Sequence, residues 1–586
     1  MKIFLKLRWY FRLRWKQYSA AITMLTAIAV LNLLPAALIG KLIDAVAQHK
    51  LTLNQLVQFG TYILLTGSSI YLLRFCWRAL LYSSSYQLAV VLREKVYAHL
   101  LNQPAIFFQR WTTGDLMARA TNDVTAVEML AGEGVLTLFD GVMTGLIVLG
   151  TMCIGFSFKL TLLALLPWPV MAYFTYKLGN ALHDAFDQSQ AAFSELNNCV
   201  QEQVGGIRTI KAYGKAELAE QRFAEITNRA NIAGQKVARV EAQYEPVISL
   251  TVGISFFLSV TGGAWFIHQG ELTIGQLTSF TMYLTQLIWP MFAYGWLMNL
   301  IERGSAAFER IEELLNTKSL INDCGKIDKI TAFDINIGVK AFRYGETLPL
   351  VLQDIDLFIP TGTTLGIVGP TGSGKTTLIN LLMRHYEAEG INIKIGEHLL
   401  QDYSLSALRS AISCVPQDAF LFSTTLKANI ALGKPDSDEA LIKQAARVAA
   451  VEADILRFPE GYNTLVGERG VTLSGGQKQR IGIARALLMQ SPILILDDSL
   501  SAVDAATEDQ ILGHLSTHSS NRTVEQNTRI IVTHRLSAVE QADLIIVLEQ
   551  GRISERGNHE QLIAQQGWYA STWQYQQMER TVQEGR

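Results

Sequence analysis

The residues with the plainest chemistry lie in the second half of the 586-residue chain. Gly369, Pro370, Thr371, Gly372, Ser373, Gly374, Lys375 and Thr376 follow the apolar run Leu365–Val368 and precede Thr377–Met383, which reads as a helix. This is GxxxxGK[ST] in a strand–loop–helix setting. Its glycines let backbone N–H groups turn inward around β- and γ-phosphates, and the helix N-terminus adds its dipole. Lys375 brings positive charge to the same oxygens, and Thr376 offers a hydroxyl to Mg2+. Further on, Ile493–Asp497 is four apolar residues ending in an acid, a buried strand that would deliver a carboxylate to that cation. Asp498 follows it. Between these parts lie Leu473, Ser474, Gly475, Gly476 and Gln477, and then a basic helix from about Lys478.

The elements that must position this chemistry differ between the halves. Overall, 49% of residues are apolar and 17% charged, which excludes a disordered chain, a collagen-like fibre and a small disulfide scaffold. The formal net charge of −2 gives no basic excess for nucleic acid. Cys76, Cys153, Cys199, Cys324 and Cys414 form no CxxC pair, so neither a zinc site nor a disulfide framework is indicated. A helix needs about 20 mostly apolar residues to cross a ~30 Å hydrocarbon layer. Six runs meet that reading, near residues 18–39, 56–82, 135–156, 160–176, 247–267 and 277–300. The third and fourth are separated only by residues 157–159, a tight hairpin. Long polar helical stretches, about 91–134 and 179–245, join spans two to three and four to five. Lys2, Lys6, Arg8, Arg12, Arg14 and Lys16, interleaved with Trp9, Tyr10 and Trp15, precede the first span without an acid. That places the N-terminus in the cytoplasm, with both polar stretches on the same side, and argues against a cleaved signal peptide. The membrane domain is expected at 1–314, a linker at 315–336, the nucleotide domain at 337–578 and a polar tail at 579–586.

The second half resembles the nucleotide-binding domain of ABC transporters, and the first half the membrane domain of an ABC exporter. The resemblance rests on the phosphate loop, residues 473–477 and 493–504, and the stretch Gly114–Asp123. Within the family the chain resembles the multidrug-resistance-like heterodimeric exporters. The implied fold is an all-α six-helix transmembrane domain followed by an α/β P-loop nucleotide-binding domain. Implied cofactors are ATP and Mg2+. The phosphate loop through Thr377 would hold the nucleotide, with Tyr344 stacking on adenine. Thr376, Gln417 and Asp497 would face the metal. His534 would be the switch that holds the γ-phosphate, and Ser501, Ala502, Val503 and Asp504 the D-loop. Leu473 to Gln477 would serve the ATP of a partner domain. Thr464–Gly470 resembles a segment that contacts the partner's coupling helix.

One position departs from the family pattern. Asp498 stands where the resemblance calls for the Glu that polarises the attacking water. The side chain is one methylene shorter, and a shortfall of about 1 Å at a reacting atom can lower a rate on the order of 10²-fold. The site on this chain's phosphate loop is therefore expected to bind ATP and hydrolyse it slowly. With an intact signature, this matches one half of a heterodimer whose other half supplies a true Glu. A homodimer of two slow sites is the rival reading. Phe107, Phe108, Gly114, Asp115, Leu116, Arg119 and Asp123 resemble the first coupling loop of exporters, Glu202–Ala212 the second, and Ala306, Ala307, Arg310 and Ile311 the end of the sixth helix. Trp289, Met291, Tyr294, Trp296 and Met298 could line a cavity for small amphipathic substrates or pack against lipid and neighbouring helices. Asp140 is expected near an interface, and Arg74 and Arg78 are expected to snorkel. A lipid or peptide exporter with the same engine, or an ATP-binding regulatory subunit, remains an alternative. The location implied is a bacterial cytoplasmic membrane.

Overall fold

The computed structural model describes residues 2–49, 51–321, 323–467, 473–517 and 527–584. It divides into two compact units. Residues 1–99 and 114–317 form the first, and residues 100–113 and 318–586 form the second.

The first unit is helical. Among the described residues, five stretches, Trp15–Ala47, Leu53–Leu101, Thr113–Gly155, Phe158–Gly205 and Ala216–His268, are long and apolar enough to cross a membrane. The expected sixth span meets that standard of length and composition less well. It is two helices, Ile274–Gln286 and Ile288–Asn316. The first is short, and the second soon runs into Glu302, Arg303, Glu309 and Arg310, which dilute its hydropathy. Several helices greatly exceed a bilayer. Leu53–Leu101 has 49 residues, about 74 Å at 1.5 Å per residue, so the polar stretches continue the spans outward as helix. The hairpin between the third and fourth spans forms where expected, with the Ser157 hydroxyl accepting from the Leu160 N–H.

Small residues let these helices approach. A Cβ on Gly40 or Gly275 would strike the backbone of the other, so Leu33–Ala47 and Ile274–Gln286 meet almost without side chains between them. Asp44 fixes that contact by accepting from the Thr273 hydroxyl and the Gly275 N–H, each at 2.7 Å. Lower down, Arg310 donates to both oxygens of the buried Asp123, at 2.8 and 2.5 Å. Arg119, also buried, donates to Asp115, Glu313 and the Arg310 carbonyl. Asp115, Arg119 and Asp123 of the first coupling-loop pattern and Arg310 of the sixth-helix pattern are thus joined in one network.

The second unit is built on two sheets. Strands β1 (Ile335–Phe342), β2 (Leu352–Ile359), β4 (Ile391–Ile395) and β5 (His398–Leu399) form an antiparallel sheet in the order β2-β1-β4-β5. Strands β3 (Thr364–Val368), β6 (Ile412–Val415), β7 (Ile493–Asp497), β8 (Thr528–Val532), β9 (Leu544–Glu549) and β10 (Arg552–Gly557) form the other, in the order β10-β9-β3-β8-β7-β6. Its strands are parallel except β10. Strand β7 is buried along its whole length, as its apolar run requires. One core, with Ile337, Leu357, Leu378, Ile395 and Ile495, lies between the sheets; another, with Val415, Ile442, Ile483, Leu496 and Val547, fills the space under the helices. The short helix Ala105–Arg110 belongs to this unit. Ile106 packs against the first core, and Gln109 donates to the Tyr386 hydroxyl at 2.8 Å. All five cysteines are free, and burial pushes the Cys414 thiol up to about 12, so it stays protonated and inert.

Candidate nucleotide site

The phosphate loop connects β3 to helix Lys375–Leu382. Three of its glycines take left-handed backbone, with φ of +142° at Gly369, +82° at Gly372 and +103° at Gly374. At Gly369 a Cβ would also collide with the Leu548 carbonyl at the end of β9. The turns of the loop therefore depend on glycine at these positions. Lys375 is buried, and its ammonium donates to the Gly369 and Pro370 carbonyls, each at 2.8 Å. Burial pulls its pKa down, opposed by the charges of Asp498 and then Asp497. An anion on the loop would restore the balance. Ser373 is likewise buried.

At the head of the helix, the Thr376 hydroxyl lies 3.4 Å from Asp497 Oδ1. Asp497 ends β7, buried, and burial raises its carboxyl above the usual range. Among the described residues no group of three or more His, Cys, Asp or Glu forms a metal cluster. The oxygens brought together here are the Thr376 hydroxyl and the Asp497 carboxylate. With phosphate oxygens these would suit Mg2+, which keeps few protein ligands. Gln417 turns its amide nitrogen toward Asp498 Oδ2 at 3.3 Å.

Asp498 has φ of +48°, an uncommon conformation for a residue with a Cβ and one that Asp tolerates better than most. Its N–H donates to the Val532 carbonyl at 2.8 Å, so the strained residue is tied to the end of β8. Two residues beyond Val532, the ring of His534 feels the charges of Lys375 and Asp498. Partial burial, and then Lys375, hold its pKa below the usual imidazole value. The Tyr344 hydroxyl meets the Thr377 hydroxyl at 2.8 Å, and its ring stands edge-on to Phe342 and Tyr386. The sequence-chosen residues Tyr344, Lys375 to Thr377, Gln417, Asp497, Asp498 and His534 are thus brought together from five separate segments.

Residues 473–477 form a distinct surface of the same unit. Ser474 caps helix Gly475–Leu488 reciprocally with Gln477: its hydroxyl accepts from the Gln477 N–H, and the Gln477 side chain accepts from the Ser474 N–H. Leu473 is buried. A Cβ on Gly476 would press on the Ala502 carbonyl, so the signature lies directly against the D-loop. Asp504 closes that loop by capping the Thr507 N–H at 3.0 Å. Of Thr464–Gly470, residues 468–470 lie outside the described residues, as does the side chain of Tyr294. Asp140 accepts from the indole N–H of Trp289 at 2.9 Å, joining two residues that spacing alone left separate.

Some residues of the site had no role in the sequence reading. Gln479 accepts from the Ala502 N–H and donates to the Ser501 hydroxyl, tying the signature helix to the D-loop. Arg535 donates to the Ser501 and Val503 carbonyls at 3.0 and 2.9 Å and pairs with the buried Glu508 at 2.7 Å. Its position after His534 was a weak signal. Glu508 gave none beyond being an acid one turn after Asp504.

Comparison with known proteins agrees with both halves. Residues 19–291 match the family described as the ABC transporter transmembrane region, and residues 352–501 match the ABC transporter family. The chain is 45% identical over 582 residues to the multidrug resistance-like ATP-binding protein MdlA of Escherichia coli (strain K12), covering 99% of this chain and 98% of that protein. It is 41% identical over 582 residues to the probable multidrug resistance ABC transporter ATP-binding/permease protein YheI of Bacillus subtilis (strain 168), with the same coverage. Among solved structures, a bacterial Atm1-family ABC exporter with ATP bound superposes with a TM-score of 0.78 at 26% identity, over 97% of this chain and 98% of that one.

Proposed function

The chain belongs to the ABC transporter family, with a multi-pass membrane region and an ATP-binding domain on one polypeptide, and from that premise we propose that it is the slow-site half of a heterodimeric exporter. As a family member it couples ATP hydrolysis to transport. On this reading it moves drug-like, amphipathic or lipid substrates out across the cytoplasmic membrane of a bacterium. Its amino terminus and nucleotide domain lie in the cytoplasm. The partner is a second, MdlB-like half-transporter.

In this proposal Lys375 and the loop glycines hold the phosphates, and Tyr344 faces the base. Thr376, Asp497 and Gln417 would hold Mg2+, which supplies charge neutralisation when bound. Asp498 and Gln417 orient water, and His534 meets the γ-phosphate. Residues 473–477 and the D-loop face the partner's nucleotide. ATP drives the cycle only by binding the closed arrangement more tightly than the open one.

The observation that carries the proposal is the pairing of Asp498 with an intact signature. The shorter carboxylate leaves this chain's own site slow, while residues 473–477 remain fit to complete a faster one on the partner. The test is ATPase activity of the purified chain alone, with the second half-transporter, and with that half's water-polarising Glu changed to Gln. Activity that needs the partner and its Glu supports the heterodimer. A lone chain hydrolysing at the rate of the pair would overturn it.

A further inference from the structure

The helix Trp568–Glu584 lies beyond every recognised nucleotide motif, yet it reaches the site. Gln576, half-buried on that helix, donates its amide N–H to the His534 carbonyl at 2.8 Å. Its amide oxygen accepts from the Leu536 N–H at 2.9 Å. One side chain thus takes the place of a neighbouring strand, satisfying the backbone on both sides of Arg535. We propose that Gln576 is a positioning residue for His534, fixing the backbone that aims its ring at the phosphate end of the site.

The helix is fit to act as a fixed support. At its start, Glu555 of β10 accepts from the N–H groups of Trp568 and Tyr569, at 2.5 and 3.3 Å. Tyr569 is fully buried, with its hydroxyl on His559 Nδ1 at 2.8 Å. The segment it holds is a junction. The His534 ring lies close enough to Lys375 and Asp498 to feel their charges, while the Arg535 side chain holds the Ser501 and Val503 carbonyls of the D-loop. After β8 ends at Val532, residues 534–536 leave the sheet, so the sheet ladder no longer orients them. Two hydrogen bonds to a primary amide replace that order.

The inference rests on the nucleotide site proposed above. It predicts a selective effect, because a ring aimed at the terminal phosphate touches ATP and not ADP. The test uses the full chain in lipid nanodiscs, with ATP and ADP each displacing a fluorescent ADP analogue. Gln576→Met, close in shape and without the hydrogen bonds, should weaken ATP about three- to tenfold and leave ADP unchanged. In a His534→Ala background the same change should do nothing further. Equal weakening of both nucleotides, no weakening, or a fully additive loss would overturn the role. Gln576→Glu keeps an acceptor for Leu536 and replaces the donor to His534 with a carboxylate oxygen that repels that carbonyl. It carries the same expectation if Gln576→Met lowers the melting temperature. Should the unaltered chain bind neither nucleotide, the site itself falls rather than the role of Gln576.

Discussion

The amide of Gln417 donates to the carboxylate of Asp498 across 3.3 Å, so the two side chains proposed to orient water already touch, although strands β6 and β7 deliver them from distant parts of the chain. That contact is made with the shorter acid. A Glu in the same place would reach one methylene further into the site, from a backbone whose φ of +48° suits Asp better.

Asp498→Glu is therefore expected to raise hydrolysis at this chain's own site by about 10- to 100-fold, at a small loss of stability. The cleanest reading comes from the two-chain complex in which the partner's Glu is changed to Gln. Unchanged activity there would show that the length of the carboxylate is not limiting.

Gly369→Ala and Gly372→Ala should differ, although both glycines are left-handed. The first puts a methyl into the Leu548 carbonyl; the second meets open space. Gly372→Ala should lose roughly 1 kcal/mol of stability from backbone strain. Gly369→Ala should lose at least about 3 kcal/mol and nucleotide binding with it. Thermal melts with and without ATP check the order, and equal effects would contradict the collision.

Removing the guanidinium of Arg535 strands the Glu508 carboxylate, which is only 2% exposed. Arg535→Ala should cost about 2–4 kcal/mol, reduced from a fully buried pair because the arginine is partly in solvent. Adding Glu508→Gln should recover part of the loss, since the buried charge is gone. A double variant no more stable than the single one would argue against the pairing.

His534 is expected to be neutral near pH 7, because burial and Lys375 hold its pKa below the ordinary value of about 6.5. The unfolded chain then takes up a proton before the folded one does. Stability should decline as pH falls through about 6.5 toward the folded value. His534→Gln should flatten that part of the curve, measured as melting temperature between about pH 7.5 and 5.5. An unaltered slope would place the titration elsewhere.

Much of the molecule was legible because its signals are local. The phosphate loop is written in closely spaced glycines, and the hairpin at Ser157 in an interruption between two apolar runs. The membrane segments were read from the same signal, and the sixth shows where it weakens. There the apolar run is short, a break falls at Leu287, and charges beginning at Glu302 follow within the same helix. Residues 91–134 were read as a polar stretch, without the division that the fold makes inside it. Residues 100–113 pack with the sheets, whereas Gly114 onward belongs to the membrane helices. Polarity marks a segment as leaving the lipid but does not say what it packs against.

The sequence by itself determined which residues are candidates for the chemistry, because such groups are recognised by residue type and short spacing. Lys375, Thr376, Asp497 and His534 are named by their neighbours in the chain. Only the tertiary structure decided how those groups are held. Arg535 grips the D-loop, Gln479 joins that loop to the signature helix, Arg310 closes on Asp123, and Gln576 braces the backbone around His534. These contacts join residues far apart in the chain, and an Arg or Gln has the same local appearance whether it faces water or a carbonyl. Which carbonyl it meets depends on strand order and helix placement, and these follow from burying whole apolar faces rather than from any local motif.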